Sequence, residues 1–388
     1  MMPLRRLPSP ATPWPLRRRR MLAALAAAVA CLVLGACEVH QFPEQQDVYP
    51  PEPGPDTVWV TVPLRLVYDL DVYLWPHRYD PLLASVEPDA SADTPFPDRP
   101  GASDRYANLA AEGVIVTHVQ ALAAAGTARV VTSRTFTRTL DGTPYDTDSI
   151  ALDVPAGGVY DLYVWSHLLA DTAAAPFYDY TDFNRVHLVA DSYDGNTDYR
   201  DAFRGTVRVE APAPAEADTA GSATGDVEPY VVGMKRPMGK FELITTDLSE
   251  FLERETVRRS LTVRADVGDY RVVISYPMYY PASYSAIEDR LENVYTGMQF
   301  STRMTVTGDS EASLGFDYVL LNNVSDAGVQ VVVNVYDLGG ARVAGSATFT
   351  VPMRRDYHTR LRGAFLSTPG NGGVGIDPGF NGDHNVTW

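Results

Sequence analysis

The sequence predicts an all-β chain with a β-sandwich in each of two halves, and three observations carry that prediction. Val58, Val60, Val62, Leu64 and Leu66 alternate with Thr57, Trp59, Thr61, Pro63 and Arg65, the period of two expected of a half-buried strand. Many further short Val/Thr/Tyr-rich runs follow, separated by Gly, Pro, Asn and Asp turn formers. A helix start is convincing at one place, Asp247-Leu248-Ser249-Glu250, which reads as a capping box ahead of Phe251 and Leu252.

Residues 1–36 read as export signal rather than fold. Arg17 to Arg20 form a charged lead, and Met21 to Ala36 supplies an Ala/Leu/Val core too short to span a bilayer comfortably. Leu34-Gly35-Ala36-Cys37 is the arrangement a bacterial lipoprotein peptidase reads, so Cys37 is the expected lipid carrier and first mature residue. Lipid on that thiol ties the chain to a membrane surface, because each buried CH2 contributes roughly 0.8 kcal/mol. Residues 37–56 carry Pro43, Pro50, Pro51, Pro53 and Pro55 without apolar periodicity, which predicts an extended tether.

Residues 57–210 form the first predicted sandwich. Its strands are expected at 57–66, 114–119, 129–140, 160–165 and 206–210, with Tyr/Asp-rich loops and a short edge strand between 168 and 200. Pro63 lacks a ladder donor and favours an edge or a bulge. Residues 211–226 have almost no apolar bulk and read as a linker. Residues 227–388 form the second sandwich, with strands at 241–245, 270–276, 318–321, 329–336, 348–351 and 357–366. Asp337-Leu338-Gly339-Gly340 is the expected hairpin turn after the longest of these.

Charge and cysteine usage exclude several function classes. The formal net charge is −17, and it becomes −23 once the six Arg of residues 1–36 are removed. Such a chain repels phosphate backbones and anionic headgroups, which argues against nucleic-acid partners and against membrane attachment beyond the lipid. Both Cys lie within the first 37 residues, so the mature domains hold no thiol for a disulfide, a zinc site or a nucleophile. No catalytic motif is present. Gly233 to Lys240 departs from phosphate-loop spacing, and Phe241 stands where a hydroxyl would bind magnesium. The expectation is a non-enzyme with no cofactor and no metal. The acidic groups Asp191, Asp194, Asp198, Asp201 and Asp377, Asn381, Asp383 miss calcium-loop spacing and read as solvated loop carboxylates rather than calcium ligands.

Five segments carry a family resemblance: Lys235 to Leu248 (KRPMGKFELITTDL), Tyr160 to Ser166 (YDLYVWS), Asp201 to Gly205 (DAFRG), Thr359 to Leu366 (TRLRGAFL) and Ile376 to Phe380 (IDPGF). Together, in their order along nearly the whole mature chain and behind a lipobox, they resemble the FimB/Mfa-type anchor and accessory subunits of type V pili. The resemblance implies two tandem transthyretin-like β-sandwiches, an outer-membrane and surface-exposed location, and fimbrial stalk or accessory subunits as partners through strand addition. It implies no catalytic residues. In that family a stalk subunit loses its lipid when an Arg-specific protease cuts near the start of the first domain, whereas an anchor keeps it. Residues 38–64 hold no Arg or Lys, and Arg65 falls inside a predicted strand, which favours the anchor role. The tail is the candidate donor strand, with Ile376, Phe380, Val386 and Trp388 to fill a neighbour's pockets. The competing expectation is that it folds back as its own domain's edge strand. A glycan-binding lipoprotein, with Trp59, Trp75 and Trp165 as stacking platforms, is the alternative from another class.

Overall fold

Strand β1 (Trp59–Tyr68) shows how the alternation builds the first sandwich. Val60, Val62, Leu64, Leu66 and Tyr68 are buried along one face, and the residues between them face outward. In this computed structural model residues 54, 56–89, 103–105, 112–124, 129–141, 145–189, 193–213, 228–323 and 327–367 are described. β1 lies between β7 (Thr147–Pro155), antiparallel, and β12 (Tyr230–Met234), parallel. The facing sheet runs β11 (Ala202–Glu210), β8 (Val159–Leu169), β5 (Glu112–Ala123), β6 (Val130–Asp141). Between the two sheets, Leu64 and Leu66 of β1 share a core with Val119, Leu152, Leu162, Val164 and Val232. Pro63 sits one residue before β12 begins to pair, at Leu64 opposite Tyr230, so its missing N–H costs no bond on that side.

The second sandwich faces two larger sheets. One runs β18 (Thr305–Gly308), β19 (Glu311–Leu320), β13 (Met238–Thr245), β23 (Tyr357–Gly363), β2 (Asp71–Asp80), β3 (Ser85–Pro88), with β4 (Ser103–Arg105) also on β2. The other runs β17 (Gln299–Thr302), β14 (Tyr270–Ser275), β20 (Ala327–Asp337), β21 (Arg342–Gly345), with β22 (Phe349–Met353) on the far half of β20. Phe241, Leu243, Ile274, Leu314, Val333 and Leu361 lie in the core between them. A smaller sheet, β16 (Arg290–Tyr295), β15 (Tyr280–Ser285), β10 (Val186–Leu188), β9 (Tyr178–Asp179), joins the two halves of the chain. The all-β class holds. Among the described residues no helix is long and apolar enough to cross a membrane.

Strand partners cross residues 211–226 in both directions. β2 comes from the first half and pairs in parallel with β23, while β12 comes from the second half and completes the sheet of β1. All the described residues belong to one compact unit. β8 shows the effect on packing: Leu162 and Val164 enter the first core, but Trp165, pointing the other way, is fully buried in the second.

The helix, α1 (Leu248–Arg258), starts where expected, but the capping box does not form. Asp247 makes no side-chain cap bond. Its carboxylate instead accepts from the Leu366 N–H at 3.1 Å and from the hydroxyls of Thr245 and Ser367, pinning the chain that leaves β23. The expected hairpin turn at Asp337 does form: Gly340 N donates to the Asp337 carbonyl at 2.9 Å, and the Asp337 carboxylate accepts from Gly339 and Ala341 N–H.

Candidate functional site: the first-strand groove and the seam between the sandwiches

β1 fills the centre of its sheet. From Leu64 to Val67 its backbone is paired on both sides, with Arg65 opposite Val231 on one strand and Ser149 on the other. The Arg65 side chain is exposed, yet its peptide lies inside a two-sided ladder, out of reach of a protease that needs an extended, unpaired substrate. Tyr68 locks the far end. Its hydroxyl lies 3.1 Å from Ser166 Oγ and 3.4 Å from Thr117 Oγ1, and burial pushes it up to about 12.

The open seam of this sandwich lies elsewhere. Among the described residues β6 pairs only with β5, and β7 only with β1. Between these two edges runs a groove of about 460 Å³ lined by Ile115, Phe136, Thr137 and Ile150. Arg138–Asp148 at 2.5 Å and Arg134–Asp153 at 3.9 Å bridge it with side chains rather than backbone. Charged residues on an edge are the usual guard against unwanted strand addition.

Where the two sandwiches meet, the packing is ionic. Arg236, 3% exposed, donates from Nε to both oxygens of the fully buried Asp201 at 3.0 and 2.9 Å, and its guanidinium lies 4.6 Å from the Phe203 ring centroid. Arg200 pairs with the fully buried Asp317, which also accepts from Tyr193 at 2.6 Å and from Tyr276. Lys240 reaches Asp198 at 2.8 Å, and the Tyr318 hydroxyl donates to the same carboxylate at 2.7 Å. Asp201 is therefore a buried partner in a structural network rather than a solvated loop carboxylate, and Asp198, still partly exposed, is tied into the same network. The physical reason is position: the single turn 198–200 is packed directly under β13 and β19, whose Lys240 and Asp317 face it. No group of three or more candidate ligands for a metal ion occurs among the described residues.

Two of the sequence segments singled out above meet at this seam, and a third lies on the strand beside it. Asp201 to Gly205 opens β11, Lys235 to Leu248 contains β13, and Thr359 to Leu366 lies in and beyond β23, the strand paired between β13 and β2. A family model described as a family of unknown function (DUF6562) matches residues 123–388, which take in β6 onward and the whole seam. The chain belongs to this family.

Comparison of this DUF6562 chain with curated protein sequences gives no match. Solved structures similar to it include the fimbrial anchor protein Mfa2 from Porphyromonas gingivalis, at 11% identity and a TM-score of 0.35 over 74% of this chain and 82% of that one. The tip fimbrial protein Mfa3 from the same organism is similar at 9% identity and a TM-score of 0.32, over 76% and 81%. A fimbrial assembly protein from Parabacteroides distasonis is similar at 13% identity and a TM-score of 0.34, over 79% and 92%.

Cys37, the tail residues Ile376, Phe380, Val386 and Trp388, and the acidic residues Asp191, Asp377, Asn381 and Asp383 lie outside the described residues. The three Trp do not assemble into a platform. Trp165 is fully buried, Trp59 lies on β1, and Trp75 on β2 packs against His77, Tyr357 and Arg354. Sequence reasoning missed Arg200, Arg204, Arg236, Arg355, Asp289 and Asp317 as a set, because each meets its partner across tens to hundreds of residues of chain.

Asp356, in the turn between β22 and β23, offers a pH test of the seam. It is half-buried with Oδ1 unpartnered, and burial, opposed by Arg236, pushes it up to about 6 from an ordinary value of 3.8. The folded chain thus keeps a proton that the unfolded chain has lost between about pH 4 and pH 6. Stability from this group is full below pH 4 and is lost as pH rises through 6. Asp356 has φ of 61°, a conformation Asn adopts readily. Asp356→Asn is therefore expected to be more stable than the native chain at pH 7.5, by about 1–2 kcal/mol. The gain should vanish at pH 4 in urea unfolding; a variant destabilised at pH 7.5 contradicts this reading.

Proposed function

We propose that the protein is a lipid-anchored fimbrial subunit that holds a fibre to the bacterial outer membrane, a structural protein rather than an enzyme. One observation carries the reading: β1 is retained in the middle of its own sheet, and the first basic residue after the lipobox, Arg65, is locked in that ladder. A subunit matured by cleavage after Arg loses its lipid and opens this groove to a neighbour's strand. Here residues 38–64 offer no Arg or Lys, so the link from Cys37 to the folded domains stays intact.

With the β1 groove occupied from within, the chain joins a fibre by donating a strand rather than by accepting one there. The donor is the tail, whose Ile376, Phe380, Val386 and Trp388 fill alternate pockets of a stalk subunit while its backbone completes that subunit's sheet. Of the edges in the first sandwich, β6 and β7 are bridged by the Arg138–Asp148 and Arg134–Asp153 pairs, which guard them against strand addition. Two-sandwich architecture suits this role, since backbone pairing transmits load along a fibre without any site chemistry.

Electron microscopy of cells lacking the protein tests the reading. Fibres shed into the medium are the expected result. Fibres still attached, with altered tips or length, would assign the chain an accessory or tip role instead.

A further inference from the structure

Between the two sandwiches, beside the ionic seam, lies a cavity of about 380 Å³. That is within the range of small-molecule sites, roughly 300–1,000 Å³. Both sandwiches build it: Arg204, Gly205, Thr206 and Gly233 come from the first, and Asp289, Asn323, Arg355 and Asp356 from the second, with Lys235 and Arg236 between. Its charge runs against the chain's. A protein of net charge −17 here brings four cations together with two carboxylates.

The cations are held in place rather than loosely solvated. Arg355 donates to the Leu321 carbonyl at 2.9 Å, to Asp289 at 2.7 Å and to the Tyr284 hydroxyl at 3.1 Å. Arg204 donates to the carbonyls of Ala286 at 2.6 Å and Ile287 at 3.3 Å. These bonds fix the guanidinium planes and leave donor capacity over, since each guanidinium has five N–H groups. Arg236 spends Nε on Asp201 and Nη1 on the Asp69 carbonyl, while its buried Nη2 has no partner in the protein. Lys235 is exposed and makes no ion pair among the described residues.

The lining also limits what is bound. A simple dianion such as hydrogen phosphate has a single O–H to offer where Asp289 and Asp356 both call for donors, and its compact charge is repelled by them. A peptide brings side chains that need apolar pockets, and the apolar part of this lining is Pro237 and glycine backbone. A sugar acid meets both halves: one carboxylate for the cations, and hydroxyls that donate to carboxylates and accept from an amide. We propose that this cavity binds a sugar unit carrying a single carboxylate, of the uronic-acid class. Its carboxylate lies against Arg236, Arg355 and Lys235, and its hydroxyls face Asp289, Asn323 and Asp356. The site is independent of fibre anchoring and gives the chain a contact with acidic surface polysaccharide.

Isothermal titration of the full chain with D-glucuronate, D-glucose and inorganic phosphate tests this. Glucuronate is expected to bind one to one, with glucose and phosphate at least about tenfold weaker. Lys235→Gln should weaken glucuronate about tenfold and Asn323→Ala about fivefold, each the loss of one hydrogen bond to ligand. Both side chains are exposed, so thermal unfolding should be unchanged and any loss is a binding effect. No glucuronate binding, phosphate binding as tightly as glucuronate, or affinity unaltered in both variants would each overturn the proposal.

Discussion

Replacing Arg200 with Leu is expected to lower stability by about 3–5 kcal/mol, the cost of leaving a buried charge without its partner. Arg200 is 1% exposed, and Asp317 opposite it has no access to water. Without the guanidinium, Asp317 keeps only the hydroxyls of Tyr193, Tyr276 and Tyr280 and the Tyr318 N–H, which stabilise an anion but do not neutralise it. The loss spreads beyond the pair. Arg200 also donates to the Tyr280 hydroxyl at 2.9 Å and lies 4.6 Å from the Tyr193 ring centroid, so three elements around it lose a contact at once. The double variant Arg200→Leu with Asp317→Leu removes both charges and should recover most of the deficit in urea unfolding. A single variant as stable as the native chain, or a double variant no better than the single, would show that the pair does not carry the seam.

Deleting residues 381–388 is expected to abolish capture of the fibre while leaving thermal unfolding unchanged. The deletion removes Val386 and Trp388, two of the four proposed pocket-filling side chains, and the backbone that would complete a neighbour's sheet. Strand addition draws its strength from a continuous row of backbone bonds with alternate side chains in pockets, so truncating the donor acts cooperatively. Fibre retained on cells by the truncated chain would contradict a donor role. A truncated chain that unfolds at a markedly lower temperature would identify the tail as an edge strand of its own domain.

The fold class was legible because β1, β7, β20 and the first half of β8 bury one face and leave the other more open, which writes a period of two into the sequence. Other strands wrote no such signal. β15, Tyr280–Ser285, is buried on nearly every residue because it has packing on both faces, and β9 and β10 are too short to show a period. β2 carries Pro76 and a run of half-buried aromatic residues, and its place beside β23 depends on a pairing nearly 300 residues distant in the chain. The site was harder still. Asp247 matched a capping pattern, but tertiary partners at Leu366 and Ser367 took its carboxylate. The seam was visible only as separate motifs, since Arg236 and Asp201, or Arg355 and Asp289, become a unit only once the sheets have formed.

The most direct measurement uses the contact between Thr61 and Asp153, register partners on β1 and β7 whose side chains touch at 2.6 Å. Thr61→Cys with Asp153→Cys places two thiols directly opposite each other, and the mature domains hold no competing cysteine. Once oxidised, the disulfide holds β1 in its groove, and fibre retention on cells is then compared before and after reduction. Because β1 never leaves its sheet, the locked chain is expected to anchor fibres as well as the native one. Fibres lost from the locked chain and regained on reduction would mean that β1 must be displaced, and the chain would then be a strand acceptor rather than an anchor.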